Sequence, residues 1–276
     1  NQLHLGGGRP TYLEPKQLEE LLTVLKSNFQ LHDDDNRDYS IEIDPRQMGK
    51  YSIENLRNLG FNRISVGVQD FDEAVQKAVN RQQSFEQTKL VIDSAKKNRF
   101  KSINIDLIYG LPRQTSESFL KTLDLIILLD PDRIAIYNYA HLPNLFKTQK
   151  QINQNQLPKA KTRLNILNQA IQKLGEHGYE YIGMDHFAKS NDNLFKAQHT
   201  GTLHRNFQGY STNKECDLLG IGVSAIGMLG DSYSQNHSTL NNYYYVLEHN
   251  KLPIKHGYKL DLDDLLRRFI IMNLIC

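Results

Sequence analysis

Carboxylates, amides and glycines recur along the first half of the chain, where short β-like runs end. These positions are Gly6, Gly7 and Gly8; Glu42 and Asp44; Gln69 and Asp70; Asp106 and Tyr109; and Asn138, Tyr139 and His141. The carboxyl ends of parallel strands meet at one edge, and barrel enzymes carry their chemistry there. The spacing therefore predicts a single polar rim built from five strand ends.

Each of these residue types has a specific use at such a rim. Consecutive glycines permit positive φ and let a ligand approach the main chain, whose N–H groups can bind a carboxylate or a phosphate. Carboxylates accept hydrogen bonds from the paired hydroxyls of a ribose. The residues indicate an enzyme that binds an anionic, ribose-containing ligand, and they leave its reaction open.

Structural interpretations of the same residues also stay open at this point. Gly6 to Gly8 can form a simple tight turn, and Asp44, which precedes Pro45, can cap a helix. The glycines are followed by neither the Gly-Lys-Ser/Thr of a phosphate loop nor the spacing of a dinucleotide fingerprint. His186 and His204 are interpreted as hydrogen-bonded structural histidines.

Strands interleaved with helices must position this rim. The β-like runs are LHLG, YSIEID, NRISVGVQD, KSINIDLIYGLP and DRIAIYNY, and each is followed by an amphipathic helical pattern. A parallel neighbour needs a crossover of a dozen residues or more, so this alternation predicts a parallel sheet. Glu42 and Asp44 share the strand face opposite Ile41 and Ile43, as the polar interior of a barrel allows. The fold class is therefore predicted as α/β, a partial (β/α)6 barrel with parallel strands.

The pattern changes after a helix that closes near Gly178. Residues 1–178 are assigned to the partial barrel. Residues 179–238 contain short, glycine-punctuated β-like runs and are assigned to a β-rich extension. Residues 239–276 are assigned to the start of a C-terminal helical domain, and their apolar helix from Leu260 to Cys276 is expected to have its partner beyond the end of this sequence.

Composition excludes several classes of partner. A net charge of +2 over 276 residues gives no field that would select nucleic acid. The longest apolar runs, such as Leu123 to Leu129, are too short to span a membrane. Cys216 and Cys276 have no spacing typical of a metal site, so each is interpreted as an apolar filler. So few cysteines fit a cytoplasmic protein.

Nine motifs together carry a family resemblance. In chain order they are LHLGGGRPTYL, SIEIDPR, GFNRISVGVQDF, VNRQQS, NIDLIYGLPRQT, NYAHLP, YIGMDHFA, LHRNFQGYST and DLLGIGVSAIGML. The chain resembles, over essentially its whole length, the oxygen-independent coproporphyrinogen III oxidase (dehydrogenase) family of the radical S-adenosylmethionine (SAM) superfamily. The motifs HRNFQGY and MDHFA are the more specific ones. The resemblance implies that the predicted barrel is of the radical SAM type.

The resemblance also implies a reaction. In the family, a [4Fe–4S] cluster cleaves SAM reductively, and the 5′-deoxyadenosyl radical abstracts a hydrogen from a propionate side chain. Two propionates of coproporphyrinogen III lose CO₂ and become vinyl groups, which gives protoporphyrinogen IX for heme synthesis. The implied partners are coproporphyrinogen III and an electron donor.

Two SAM molecules bind in the family, and its contact positions map onto this sequence. For the first SAM the matching positions are Gly7, Glu42 and Ile226. For the second they are Gly8, Arg9, Gln69, Arg81, Asp106 and Ala140. Among these, Ala140 and Ile226 can contribute only main-chain hydrogen bonds or packing. Arg9, Arg205 and Lys147 are candidate partners for the carboxylates of the substrate.

The sequence departs from the family pattern in two places. The family's glycine loop usually reads GGGTP and here reads GGGRP, so Arg9 brings a long cation to the expected SAM site. The Cys-x3-Cys-x2-Cys loop that holds the cluster is absent from this sequence and is expected upstream of Asn1. Taken alone, the chain is expected to bind no cluster and to be inactive.

A heme chaperone relative is the alternative interpretation. Such relatives carry a Trp-containing motif in the region of HRNFQGY, and this chain contains no Trp. The alternative protein would bind heme without this catalysis.

Overall fold

The structure is a computed structural model that describes residues 2–34, 36–50, 52–214 and 216–276. The contacts divide the chain into two compact units, Asn1–Asp192 and Asn193–Cys276. In the first unit, the strands are β1 (Gln2–Leu5), β2 (Asp38–Ile43), β3 (Arg63–Gln69), β4 (Ser102–Tyr109), β5 (Arg133–Asn138), β6 (Tyr179–Gly183) and β7 (His186–Lys189). Its α-helices are α1 (Pro15–Asn28), α2 (Ile53–Asn58), α3 (Glu73–Ala78), α4 (Phe85–Lys97), α5 (Ser116–Leu129) and α6 (Ala160–Glu176). Short 3₁₀ helices span Pro10–Tyr12, Pro45–Lys50, Lys147–Gln151 and Gln154–Gln156.

Seven strands of the described residues form one sheet in the order β1-β2-β3-β4-β5-β7-β6. The pairs from β1 to β5 are all parallel. The predicted α/β class with parallel strands is therefore confirmed. The sheet continues antiparallel through the β6–β7 hairpin, so residues 179–189 of the predicted extension contribute strands to the main sheet.

The two faces of the parallel strands differ sharply in polarity. On β2, the apolar Ile41 and Ile43 are buried and pack in the core, whereas the intervening Glu42 is only half-buried. The same alternation continues on β3 and β4. The apolar face packs against α1, α2, α4, α5 and α6, whose buried residues belong to the same hydrophobic cluster. The opposite face is therefore the one that offers polar side chains to a ligand.

Helix α4 begins at a capping box. Ser84 Oγ accepts a hydrogen bond from Gln87 N, and Gln87 Oε1 accepts one from Ser84 N. The two bonds satisfy main-chain donors that have no partner inside the helix. They also fix the chain just after Arg81, one of the predicted site residues.

Replacing Ser84 with Ala should lower the free energy of unfolding by about 1 kcal/mol, because the helix loses its N-terminal cap. Urea unfolding followed by circular dichroism measures this change. Ser94→Ala, inside the same helix, is the matched control and should leave stability the same or slightly higher. Equal effects of the two variants would contradict a specific role for the cap.

The second unit contains shorter elements. They are α7 (Asn193–His199), β8 (His204–Asn206), β9 (Gly209–Ser211), β10 (Ile226–Leu229), β11 (Ser232–Asn236), α8 (Leu240–Glu248), β12 (Ile254–Lys259) and α9 (Leu262–Ile275). Strands β8 and β9 form a hairpin, and β10, β11 and β12 form an antiparallel sheet. Strand β12 lies within the segment predicted to begin a helical domain. No helix in the described residues has both the length and the apolar character required to cross a bilayer.

Candidate functional site

Five polar residues on the open face of the sheet form one group, here called the carboxylate cluster: His4, Glu42, Ser65, Asn104 and Asp106. The strand register brings them together. Parallel pairing places Glu42 opposite Ser65, and Ser65 opposite Asn104. Side chains two residues apart on a strand share a face, so Asp106 follows Asn104 on that side. The sheet, rather than any loop, thus sets the spacing of the two carboxylates.

Asp106 is held by two hydrogen bonds within the carboxylate cluster. Ser65 Oγ donates to Asp106 Oδ2 at 2.6 Å, and Asn104 Nδ2 donates to Asp106 Oδ1 at 2.8 Å. Burial raises the pKa of Asp106 to about 6, in spite of these two hydrogen bonds, and the charge of Glu42 adds to the rise. Asp106 is therefore a fixed acceptor whose charge depends on pH near neutrality.

Glu42 is the more open of the two carboxylates. Its side chain is 38% exposed, and its Oε1 lies 3.5 Å from His4 Nε2. His4 is itself oriented by Ser40, because His4 Nδ1 lies 2.8 Å from Ser40 Oγ. An oriented carboxylate that still faces solvent can accept hydrogen bonds from a ligand hydroxyl.

A second group, here called the arginine cluster, consists of Asp44, Arg46, Gly67 and Arg81. Arg46 forms a two-point contact with Asp44, with Nε–Oδ1 at 2.9 Å and Nη2–Oδ2 at 2.6 Å. Arg81 Nη1 donates to Asp44 Oδ2 at 3.3 Å, and its Nη2 donates to the Gly67 carbonyl at 2.9 Å. One carboxylate is thus shared by two guanidinium groups.

The charge balance of the arginine cluster is positive. Burial raises the pKa of Asp44, but the hydrogen bond from Arg46 and the charge of Arg81 outweigh it, so the pKa lies below its ordinary value. Burial lowers the pKa of Arg81, and the charges of Arg46 and Arg9 lower it further, against the opposing charge of Asp44. Guanidinium remains protonated in proteins, so the cluster favours an additional anion such as a ligand carboxylate.

The glycine loop follows β1 at the same edge of the sheet. Gly7 and Gly8 have φ of +79° and +120°, and nothing lies within 4 Å of the place where a Cβ would stand at either residue. Gly6 is different, because its Cβ would collide with His4 Nε2 and would stand 2.7 Å from Glu42 Oε1. The loop therefore packs against the carboxylate cluster at Gly6 and leaves open main chain at Gly7 and Gly8.

These residues fit a SAM molecule. Glu42 and Asp106 carry carboxylates, which are suitable acceptors for ribose hydroxyls, and the open main chain at Gly7 and Gly8 leaves space that an amino-acid moiety would fill. Arg81 Nε is buried without a hydrogen-bond partner in the described residues, although both terminal nitrogens of this guanidinium are engaged. A buried donor without a partner is costly, and a ligand carboxylate would satisfy it.

The other predicted contact residues have different surroundings. Arg9 is exposed, and its influence on Arg81 is electrostatic. Gln69 ends β3 in a left-handed conformation with φ of +70°. The Ala140 carbonyl already accepts a hydrogen bond from Gln149 Nε2 at 3.0 Å. Ile226 begins β10 in the second unit, so its relation to the clusters of the first unit stays a prediction.

The described residues do not fit an iron–sulfur cluster. Cys216 is exposed and Cys276 is partly buried, and neither forms a disulfide. Within the described part of the chain, no three His, Cys, Asp or Glu side chains come together as a metal site.

Sequence reasoning did not single out five residues of the two clusters: His4, Arg46, Ser65, Gly67 and Asn104. Two of them carry a signal that could have been used. His4 lies on the same strand as the glycine loop, two residues before Gly6, and Arg46 lies two residues after Asp44. Ser65 becomes visible only from the pairing of β2 with β3, because nothing local distinguishes it from other strand serines.

Comparisons with known proteins identify the family of this chain. Residues 1–126 match the Radical SAM superfamily model. The chain is 52% identical over 275 residues to the oxygen-independent coproporphyrinogen III oxidase of Pseudomonas aeruginosa, covering 100% of this chain and 60% of that protein. It is 49% identical over 239 residues to the protein of the same name from Thermostichus vulcanus, covering 86% of this chain and 73% of that protein.

A solved structure is also closely similar to this chain. Coproporphyrinogen III oxidase from Escherichia coli, described as a radical SAM enzyme, superposes with a TM-score of 0.96 at 48% identity, covering 100% of this chain and 63% of that one. The chain thus spans about 60% of the length of the first curated relatives that it matches. A sheet with polar carboxylates on its open face, a superfamily match and about 50% identity lead to one conclusion: the chain belongs to the oxygen-independent coproporphyrinogen III oxidase family of radical SAM proteins.

Proposed function

We propose that the whole protein converts two propionates of coproporphyrinogen III to vinyl groups without oxygen, giving protoporphyrinogen IX. The observation that carries this proposal is the 52% identity over the full chain to a relative named for that activity. The carboxylate cluster and the arginine cluster support it, because together they offer what a SAM molecule requires. Bound SAM supplies the 5′-deoxyadenosyl group that takes a hydrogen from the propionate chain.

The roles of this chain's own residues are binding and orientation. Glu42 accepts hydrogen bonds from the ribose of one SAM, and the uncovered main chain of Gly7 contacts the same ligand. Asp106 accepts hydrogen bonds from the ribose of a second SAM, and Arg81 pairs with a carboxylate. A [4Fe–4S] cluster and an electron donor belong to the proposal for the whole protein.

The proposal is tested on the whole protein, reconstituted with iron and sulfide under anaerobic conditions and supplied with SAM, a reductant and coproporphyrinogen III. We expect protoporphyrinogen IX, two CO₂ per substrate and 5′-deoxyadenosine, measured by chromatography. Absence of SAM-dependent decarboxylation, together with stoichiometric heme binding in a titration, would instead establish the heme chaperone alternative.

Glu42→Gln provides the site-specific arm of this test. The variant keeps the size of the side chain but removes the charge that strengthens hydrogen bonds to ribose hydroxyls, so SAM affinity should fall roughly tenfold. Calorimetric titration with SAM measures this change. Glu19→Gln, an exposed change in α1, is the control and should bind as the unmodified protein does. Unchanged affinity in Glu42→Gln would remove Glu42 from the SAM site.

A further inference from the structure

A buried glutamine next to the arginine cluster has a role that the proposed SAM contacts do not include. Gln76 lies in α3 with only 7% of its surface exposed. Its Nε2 donates to the Asp70 carbonyl and to the Gln83 carbonyl, each at 2.8 Å, and its Oε1 accepts from Gln83 N at 3.0 Å. One side chain thus binds both main-chain groups of Gln83 and joins them to the end of β3.

The segment held in this way is the one that carries Arg81. The chain leaves α3 through Asn80, which has φ of +52°, and Arg81 N donates to the Gln76 carbonyl at 2.9 Å. Gln83 is fixed from its other side as well, because its Nε2 donates to Thr88 Oγ1 at 2.9 Å. The Gln76 side chain therefore fixes the turn that carries Arg81 at the main chain of Gln83, and the Gln76 carbonyl holds Arg81 N.

The guanidinium of Arg81 has little freedom where it lies. Its Nη2 donates to the Gly67 carbonyl, and a Cβ placed on Gly67 would stand 3.2 Å from that nitrogen. The same Cβ would stand 3.1 Å from Gln69 Nε2. The guanidinium thus lies close over β3, and a shift of the turn by about 1 Å would break its hydrogen bond with Gly67.

We propose that Gln76 is a positioning residue, which holds Arg81 over Gly67 so that the guanidinium can pair with the carboxylate of a bound SAM. Gln76 does not touch the ligand in this proposal and acts only through the turn. The inference rests on the proposed function, because it assumes that Arg81 binds SAM. Preorganising a charged group in this way reduces the ordering cost of binding.

The test is a double-mutant cycle on SAM binding by the reconstituted whole protein, with the variants Gln76→Met, Arg81→Met and both together. We expect Arg81→Met to weaken one SAM site about 30-fold and Gln76→Met to weaken the same site about tenfold. The double variant should be no weaker than Arg81→Met, because Gln76 acts through Arg81. Additive losses in the double variant would overturn the proposal.

A stability-matched control separates positioning from general loss of structure. Asn62 is also a buried amide that bridges main-chain groups, with hydrogen bonds to Tyr39 N and the Arg37 carbonyl, but it lies at the opposite end of β3. Asn62→Leu should therefore destabilise the protein and leave the SAM affinity unchanged. An equal loss of SAM affinity in Asn62→Leu and Gln76→Met would overturn the positioning role.

Three further cases are distinguishable. If Gln76→Met does not fold, Gln76→Glu takes its place: it keeps an acceptor for Gln83 N, loses the hydrogen bonds donated to the Asp70 and Gln83 carbonyls, and should weaken the same SAM site; unchanged affinity there overturns the inference. If the unmodified protein binds no SAM, the proposed function fails and the inference fails with it. If Arg81→Met weakens SAM binding and Gln76→Met does not, only the inference fails.

Discussion

Replacing Asp106 with Asn should make the protein more stable above pH 6 and at the same time weaken its binding of SAM. The two effects have one cause. A carboxylate placed on the partly buried face of the sheet accepts ligand hydroxyls well because it is charged, and that charge is costly to bury. The charge of Asp106 is therefore expected to lower the stability of the fold and to strengthen the binding of SAM.

The pH dependence of the stability effect follows from the raised pKa. The unfolded carboxyl has a pKa near 3.8 and the folded one a pKa of about 6, so the native state binds more protons between these values. The free energy of unfolding of the unmodified protein then falls as the pH rises from 4 to 6 and levels off above. The neutral amide of the Asp106→Asn variant carries no such cost, although it loses one of the two hydrogen bonds to Ser65 and Asn104.

The expected net gain for Asp106→Asn is about 1 to 2 kcal/mol at pH 8 and close to zero at pH 4. Urea unfolding at both pH values measures it. SAM affinity at pH 8 should fall about 10- to 100-fold, as expected for the loss of hydrogen bonds to a charged acceptor. In the unmodified protein, the affinity of the Asp106 site should itself decline as the pH falls below 6. A variant that is less stable than the unmodified protein at pH 8 would contradict the assignment of a destabilising charge.

Much of the first unit could be predicted because its signals are local. The alternation of Ile41, Glu42 and Ile43 shows both the strand and its polar face, and the pair Ser84 and Gln87 shows where α4 begins. These signals depend on side-chain direction and main-chain capping within a few residues. They suffice to give the class of fold and the edge at which polar groups gather.

Pairing between distant segments could not be predicted in the same way. The run YEYIGMDHFA is β-like, but only the structure shows His186 opposite Ala135, across a gap of about fifty residues. Likewise, nothing near Ser65 indicates that it meets Asp106, because that contact depends on the register of β3 against β4. The proposed SAM contacts rest on the family resemblance. The hydrogen bonds of Arg81 with Asp44 and Gly67 are visible only in the structure.

Whether a glycine can be replaced by a residue with a Cβ also depends on the fold. Replacement of Gly220 has the largest expected effect on stability. A Cβ on Gly220 would stand 2.5 Å from the Ile226 carbonyl oxygen and 2.6 Å from its carbonyl carbon. The segment cannot move away easily, because Leu218 and Met228 exchange main-chain hydrogen bonds at 2.7 and 2.8 Å and Asn236 Nδ2 donates to the Gly220 carbonyl at 3.1 Å. The collision is with main chain, so no side-chain rotation relieves it.

Gly220→Ala should therefore lower the free energy of unfolding of the second unit by about 3 kcal/mol, the upper part of the range for overpacking. Thermal denaturation and hydrogen exchange of the β10 amides measure it. Gly175→Ala in α6, where nothing lies within 4 Å of the new Cβ, is the matched control and should stabilise its helix by about 0.5 to 1 kcal/mol. If the β10 amides of Gly220→Ala exchanged as slowly as those of the unmodified protein, the segment would have adapted to the added methyl group. The close approach at Gly220 would then make no difference to stability.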